Sequence, residues 1–360
     1  MKRLALSLLT AGIVAIVLVS PATSLAVARS ADPAVPAAKT AGALPGTPRH
    51  PVLGADLYAL GNYSSAVVQA DGARTLQYIK TDLKASAVAI VWNFYAASAK
   101  SSAVETTSNT LSAANVAILT QIAEQDGLSV EYRPLIFINH APGRAWEGNI
   151  SPASPARWFS SYYKAELPYL RVAAQWRVPE FVVETEMHAL NRNSGWSGFF
   201  KRLASVYKGA LSYAAWEGDY FPPSSHLLDA KALGMDMYEP MPQLSASASK
   251  AKVLAGWESW FKTVPSSVLE RTTIQETGIE ARSGAYADPA NLNGQGKLDQ
   301  QVQAYWFSAA CSTVHKYHMA GVFFWKVDLT DYPAHPASSL STFEGRKGAL
   351  AIAACAAILS

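Results

Sequence analysis

Residues 180–190 read EFVVETEMHAL. Phe181, Val182 and Val183 form a short apolar run between polar residues, the pattern of a buried strand. The run ends in Glu184-Thr185-Glu186. Side chains alternate across a strand, so Glu184 and Glu186 are expected on one face. Carboxylates are seldom buried without a partner or a task. A second strand-like run, TTIQETG at Thr272–Gly278, also ends in a carboxylate, Glu276.

Outward from these runs the chain alternates regularly. Strand one is expected at Val52–Leu57, helix one at Ala73–Leu83, and strand two at Ala87–Tyr95, nearly all apolar as a strand covered on both faces should be. Helix two follows at Ser112–Asp126, strand three at Ser129–Ile138 and helix three at Pro155–Trp176. The opening stretch is strand four. Helix four is expected at Phe199–Tyr207, strand five at Ala210–Trp216, helix five near Ser225–Lys231 and strand six at Leu233–Tyr238. Helix six at Ser247–Phe261, strand seven at Thr272–Gly278, helix seven at Asp299–Tyr317, strand eight at Met319–Asp328 and a C-terminal helix from Gly348 complete the order. Eight strands alternating with helices over roughly 300 residues is the count of an α/β, single-domain (β/α)₈ TIM barrel. An open doubly wound sheet usually carries a Gly-rich phosphate loop after its first strand, and Gly54-Ala55-Asp56-Leu57 has none. No internal repeat or second domain is visible.

Residues 1–28 have the pattern of a secretion signal. Lys2 and Arg3 precede an apolar stretch from Leu4 to Ser20, and small residues offer cleavage after Ala26 or Ala28. Residues 29–50, with four prolines and no periodicity, read as a flexible lead-in to a catalytic domain at 51–360. The mature chain is thus expected outside the cell, free of the membrane and monomeric. Cys311 and Cys355 fall on the last two helices, neighbours in a closed barrel, and read as either a disulfide or two buried thiols.

Half of the 360 residues are hydrophobic and 16% are charged, so a large core is available. A net charge of +3 without a basic stripe gives no footprint for nucleic acid. Ten Trp and sixteen Tyr fill a core and can also form platforms for sugar rings. The seven histidines show no metal-binding spacing, and no cofactor is expected. His315 and His318 lie where a helix C-terminus favours them. A serine nucleophile lacks its Gly-x-Ser-x-Gly elbow.

A barrel builds its active site on the loops at the C-terminal ends of its strands. Those ends offer Glu184 and Glu186 on strand four, Tyr238 and Glu239 on strand six, Glu276 on strand seven, and Trp325 and Asp328 on strand eight. Glu186 and Glu276 are the favoured pair, because two carboxylates on separate strand ends are what glycoside hydrolysis requires. Glu184 sits one pleat deeper and is expected to hold other groups by hydrogen bonds. Tyr238 is a candidate donor to Glu276. Trp92, Trp146, Trp216 and Trp325 are candidate platforms, and His188 a candidate substrate contact. Trp257, Trp260 and Trp306 lie in helices and read as packing.

Six segments in order resemble glycoside hydrolase clan A, and within it family 113. They are TLQYIKTDLKASAVAIVWNFY at 75–95, Glu131-Tyr132-Arg133-Pro134 with RAWEGNI at 144–150, WFSSY at 158–162, Glu184-Thr185-Glu186-Met187, Gln275-Glu276-Thr277-Gly278 with Arg282-Ser283, and GVFFWKVD at 321–328. The resemblance implies a retaining hydrolase with Glu186 as acid/base and Glu276 as nucleophile, their carboxyls roughly 5–5.5 Å apart. It implies a sugar site floored by Trp325 and a β-linked substrate, β-1,4-mannan first. Glu184 stands where the family motif has Gly, and Thr185 where the clan has Asn. Trp92-Asn93 stand where the clan has an Arg on strand two. The rival readings are a non-catalytic carbohydrate-binding barrel and a hydrolase of xylan or β-glucan.

Overall fold

Ala87–Ala96 is buried at every position, and a strand covered on both faces must be apolar on both. It is β2 of eight parallel strands in the computed structural model, which describes residues 51–61, 63–139, 146–220, 232–245, 247–330 and 339–360. The others are β1 (Val52–Tyr58), β3 (Ser129–Ile138), β4 (Glu180–Thr185), β5 (Ala210–Trp216), β6 (Leu233–Asp236), β7 (Thr272–Thr277) and β8 (Gly321–Asp328). They pair in chain order, and β8 closes on β1. This is the (β/α)₈ barrel. The expected signal peptide at 1–28, the lead-in at 29–50 and helix five at 225–231 lie outside the described residues.

Around the barrel run α1 (Ser65–Thr81), α2 (Ala113–Gln125), α3 (Pro155–Trp176), α4 (Gly195–Val206), the short α5 (Glu217–Tyr220), α6 (Lys250–Phe261), the single turn α7 (Ser266–Leu269), α8 (Gln300–Lys316) and α9 (Lys347–Leu359). Local chemistry sets several starts. The hydroxyls of Ser64, Ser112 and Ser249 accept from the backbone N–H three residues on, and Pro155 opens α3.

Some boundaries differ from the sequence reading. α1 begins at Ser65 rather than Ala73, because the Ser64 hydroxyl accepts from Val67 N and starts the helix two turns earlier. A Cβ at Gly72 would lie 2.6 Å from Leu119 Cδ2, so glycine lets α1 approach α2. α4 begins at Gly195, and Trp196 packs beneath it with its indole N–H donating to Leu190 O (3.0 Å). β6 ends at Asp236, leaving Tyr238 on the following loop.

The barrel interior is divided. Tyr58, Ala87, Ala89, Val91, Leu135, Phe323 and Trp325 form an apolar cluster on β8, β1, β2 and β3. The remainder is polar. Gln275 donates to Glu180 Oε1 (3.0 Å) and Ser212 Oγ (3.2 Å), and a Cβ at Gly234 would collide with the Gln275 amide. Outside the barrel, Trp257 of α6 and Trp306 of α8 meet edge to face at 5.0 Å.

Cys311 of α8 and Cys355 of α9 are joined by a disulfide, with Cα atoms 5.6 Å apart. The bond closes a loop across 44 positions. Loop-closure entropy puts its contribution at about 4 kcal/mol at most. Cys311→Ser/Cys355→Ser is expected to lose about 2–4 kcal/mol of unfolding free energy. Denaturant titration of both forms checks this, and equal midpoints would show that the bond contributes nothing.

Candidate active site

β4 ends at Thr185, and the chain turns at once. Glu186 takes a left-handed backbone conformation (φ 52°), which costs a non-glycine residue on the order of 1–3 kcal/mol. Its N–H is held by Ala214 O (2.7 Å), and its carbonyl accepts from His188 N (2.6 Å). Glu186 therefore lies beyond the strand's pleat. The expectation that Glu184 and Glu186 share a strand face is corrected, because face alternation applies only while the backbone stays extended. Glu184 is buried, and its Oε2 accepts from Met187 N (2.9 Å), closing the turn from below. Burial pushes its carboxyl from the usual 4.5 up to about 8.

Glu186 Oε2 accepts from the Trp146 indole N–H. Burial drives the Glu186 carboxyl well above its ordinary range, and the nearby carboxyls of Glu147, Glu276 and Glu217 add to the rise. The Trp146 bond pulls the other way without reversing it.

Glu276, on β7, has a different environment. The Tyr238 hydroxyl donates to its Oε1 (2.5 Å), and Arg133 Nη2 to its Oε2 (2.5 Å). Arg133 stands on β3, fully buried. Its Nη1 also donates to Gln275 O (2.6 Å) and Asp56 Oδ1 (3.2 Å), and its Nη2 to Asp236 Oδ2 (2.8 Å). Three carboxyls thus crowd one guanidinium. Burial outweighs Arg133 at Asp56, which rises from 3.8 to about 8, and at Asp236, which also rises. Both shifts favour the neutral form at Asp56 and Asp236, which limits the negative charge around Arg133. The sequence reading found no equivalent of the clan's arginine on strand two; Arg133 meets Glu276 from the neighbouring strand.

Two walls flank the glutamates. On one side Trp325 lies 5.1 Å from the Tyr58 ring, with the Arg133 guanidinium carbon 6.0 Å from its own centroid. Lys326 sits 4.1 Å from the Tyr58 ring and pairs with Asp328 (2.5 Å). On the other side, Trp146, His188 and Trp216 pack together, and His188 Nδ1 is 2.9 Å from both carboxylate oxygens of Asp219.

Trp92 is not a platform. It is fully buried and stacks on Tyr169 of α3 at 4.6 Å and 14°. Even-numbered residues of β2 face the helices, so Trp92 belongs to the outer core. Asn93 points inward instead, buried, with neither amide atom hydrogen-bonded among the described residues. Two further acids escaped the sequence reading. Glu147, in the turn after β3, is pushed up to about 7 by desolvation, against its own backbone N–H and with Glu276 adding to the rise. Glu217, next after β5, also rises to about 7, chiefly by desolvation. The strand-end rule could have found Glu217. Among the described residues no group of three or more His, Cys, Asp or Glu is placed to hold a metal ion, and no helix is long and apolar enough to cross a membrane.

The sequence model of Glycoside Hydrolase Family 113 matches residues 60–345. The chain belongs to this family. Solved family 113 structures share its fold. One, the complex structure of a β-1,4-mannanase, has a TM-score of 0.74 at 16% identity, covering 85% of this chain and 99% of its own. A family 113 β-mannanase from Alicyclobacillus acidocaldarius has a TM-score of 0.73 at 19% identity, covering 85% and 97%. A family 5 subfamily 18 protein from Streptomyces cattleya, in complex with GlcNAc, is more distant: TM-score 0.55, 12% identity, covering 87% and 81%. No curated protein matches the chain in sequence.

The raised carboxyls carry a stability prediction for this family 113 member. Asp56, Glu184 and Glu217 bind their protons more tightly folded than unfolded. Between about pH 4.5 and about pH 8 the folded chain therefore holds more protons, and stability falls as pH rises. Each group contributes at most about 1.4 kcal/mol per pH unit. Glu184→Gln, which cannot ionise, is expected to flatten the slope. Unfolding free energies at about pH 5 and about pH 8 measure it, and a gain in stability toward the higher pH would contradict the assignment.

Proposed function

We propose that this protein is a secreted, retaining glycoside hydrolase that cleaves β-1,4-linked mannan. The observation that carries the reading is the contrast between two glutamates at the ends of β4 and β7. Glu186 is surrounded by carboxyls and accepts a single indole N–H, which favours the protonated form an acid needs. Glu276 receives donors on both oxygens, one of them cationic, which orients its carboxylate for attack.

The mechanism follows from that contrast. Glu276 attacks the anomeric carbon as Glu186 gives its proton to the departing glycosidic oxygen, and a glycosyl ester forms on Glu276. Glu186, now ionised, takes a proton from water. That water attacks the anomeric carbon, the ester bond breaks, and configuration is retained. Arg133 and Tyr238 steady the carboxylate as it leaves. Mannan is favoured by the family 113 structures, which are named as β-mannanases. Export is favoured by the signal pattern of residues 1–28 and by a disulfide, which persists in an oxidising compartment.

Reducing-sugar release from β-mannan, xylan, β-glucan and chitin tests the reading. Release from mannan is expected, falling roughly 10²–10⁴-fold in Glu186→Gln and at least as far in Glu276→Gln. Activity surviving Glu276→Gln would mean a different nucleophile, and release from another polymer alone would reassign the substrate.

A further inference from the structure

We infer that His188, fixed by Asp219 and backed by Trp146 and Trp216, walls the subsite for the departing sugar and makes the enzyme prefer a sugar over other leaving groups. The inference rests on the acid and nucleophile roles proposed above. Glu276 attacks from one face of the scissile sugar, so the group that protonates the departing oxygen stands on the leaving side. Trp146 donates its indole N–H to that group, Glu186. Residues packed against Trp146 therefore border the leaving sugar.

His188 is the exposed member of that packing. Its ring lies nearly parallel to the Trp146 indole, at 15° and 6.1 Å between centroids. Trp216 meets it edge-on at 5.1 Å and 78°, and the two indoles meet at 5.3 Å. Nδ1 lies 2.9 Å from both oxygens of Asp219, which fixes the ring against rotation. Nε2 has no partner among the described residues. Yet 48% of the side chain remains exposed, against 12% for Asp219. A half-exposed imidazole contributes little to a core, and holding it in one orientation costs rotamer entropy. The arrangement suits a neutral sugar: the ring offers an aromatic surface to its C–H groups, and Nε2 meets a hydroxyl.

The test compares wild type with His188→Ala on two substrates. Mannotetraose has a sugar leaving group; dinitrophenyl β-mannobioside does not. His188→Ala is expected to lower the ratio of kcat/KM for mannotetraose over the aryl glycoside at least 10-fold. His188→Phe, which keeps a ring, is expected to recover part of that ratio. A ratio unchanged in His188→Ala would overturn the inference, since a purely structural role would lower both substrates alike. Titration with mannobiose, followed by indole fluorescence, reads the subsite without turnover. A dissociation constant raised at least 10-fold in His188→Ala supports it; an equal constant, or no response in wild type, overturns it. Wild type that binds mannobiose in this His188-dependent way but cleaves neither substrate would sink the hydrolase reading and leave the subsite standing.

Discussion

The Arg133 guanidinium ties the barrel together where the site is built. From β3 it reaches Asp56 on β1, Asp236 on β6 and both Gln275 and Glu276 on β7. Taking an arginine fully out of water is costly, and its partners must supply what hydration gave. Four hydrogen bonds from Nη1 and Nη2 supply most of it, while Nε has no partner among the described residues. The same bonds leave Glu276 little freedom, because one of its oxygens is held by the cation and the other by Tyr238. The polar half of the barrel interior follows from this choice. Once a charge is buried there, the layer around it must be built of acids and amides that pair with it and with one another.

Crowding three acids around one base has a second effect. Burial raises the Asp56 and Asp236 carboxyls, which limits the negative charge the buried network carries. Around Glu186 the neighbouring carboxyls of Glu147, Glu276 and Glu217 add to the rise that burial causes. One scaffold thus produces two glutamates of opposite character by placing donors beside one and carboxyls beside the other. The left-handed turn at Glu186 belongs to this design. It takes the side chain off the strand, to where a loop tryptophan and acids from three other segments surround it.

Much of the architecture was legible along the chain. β3, α3 and β5 begin and end where the apolar runs and their flanking signals put them. Glu186, Glu276, Tyr238 and Trp325 could be named because barrel sites gather at strand ends. The errors share a cause. Trp92 is a platform candidate in the sequence, but one residue of alternation separates the cleft from the helices, and Trp92 falls on the helix side. Glu184 and Glu186 were paired by a period that stops where the strand stops.

The sequence by itself determined the strand and helix order, the barrel it closes into, and the two segments that supply the glutamates. Those features rest on local periodicity and on spacing along the chain. Only the tertiary structure decided which carboxyls burial raises, that Arg133 is the base facing Glu276, that Glu147 and Glu217 lie close enough to Glu186 to act on it, and that His188 is fixed between two indoles. Such properties depend on distances between residues scores of positions apart. They appear only when barrel closure brings β1, β3, β6 and β7 around one buried charge.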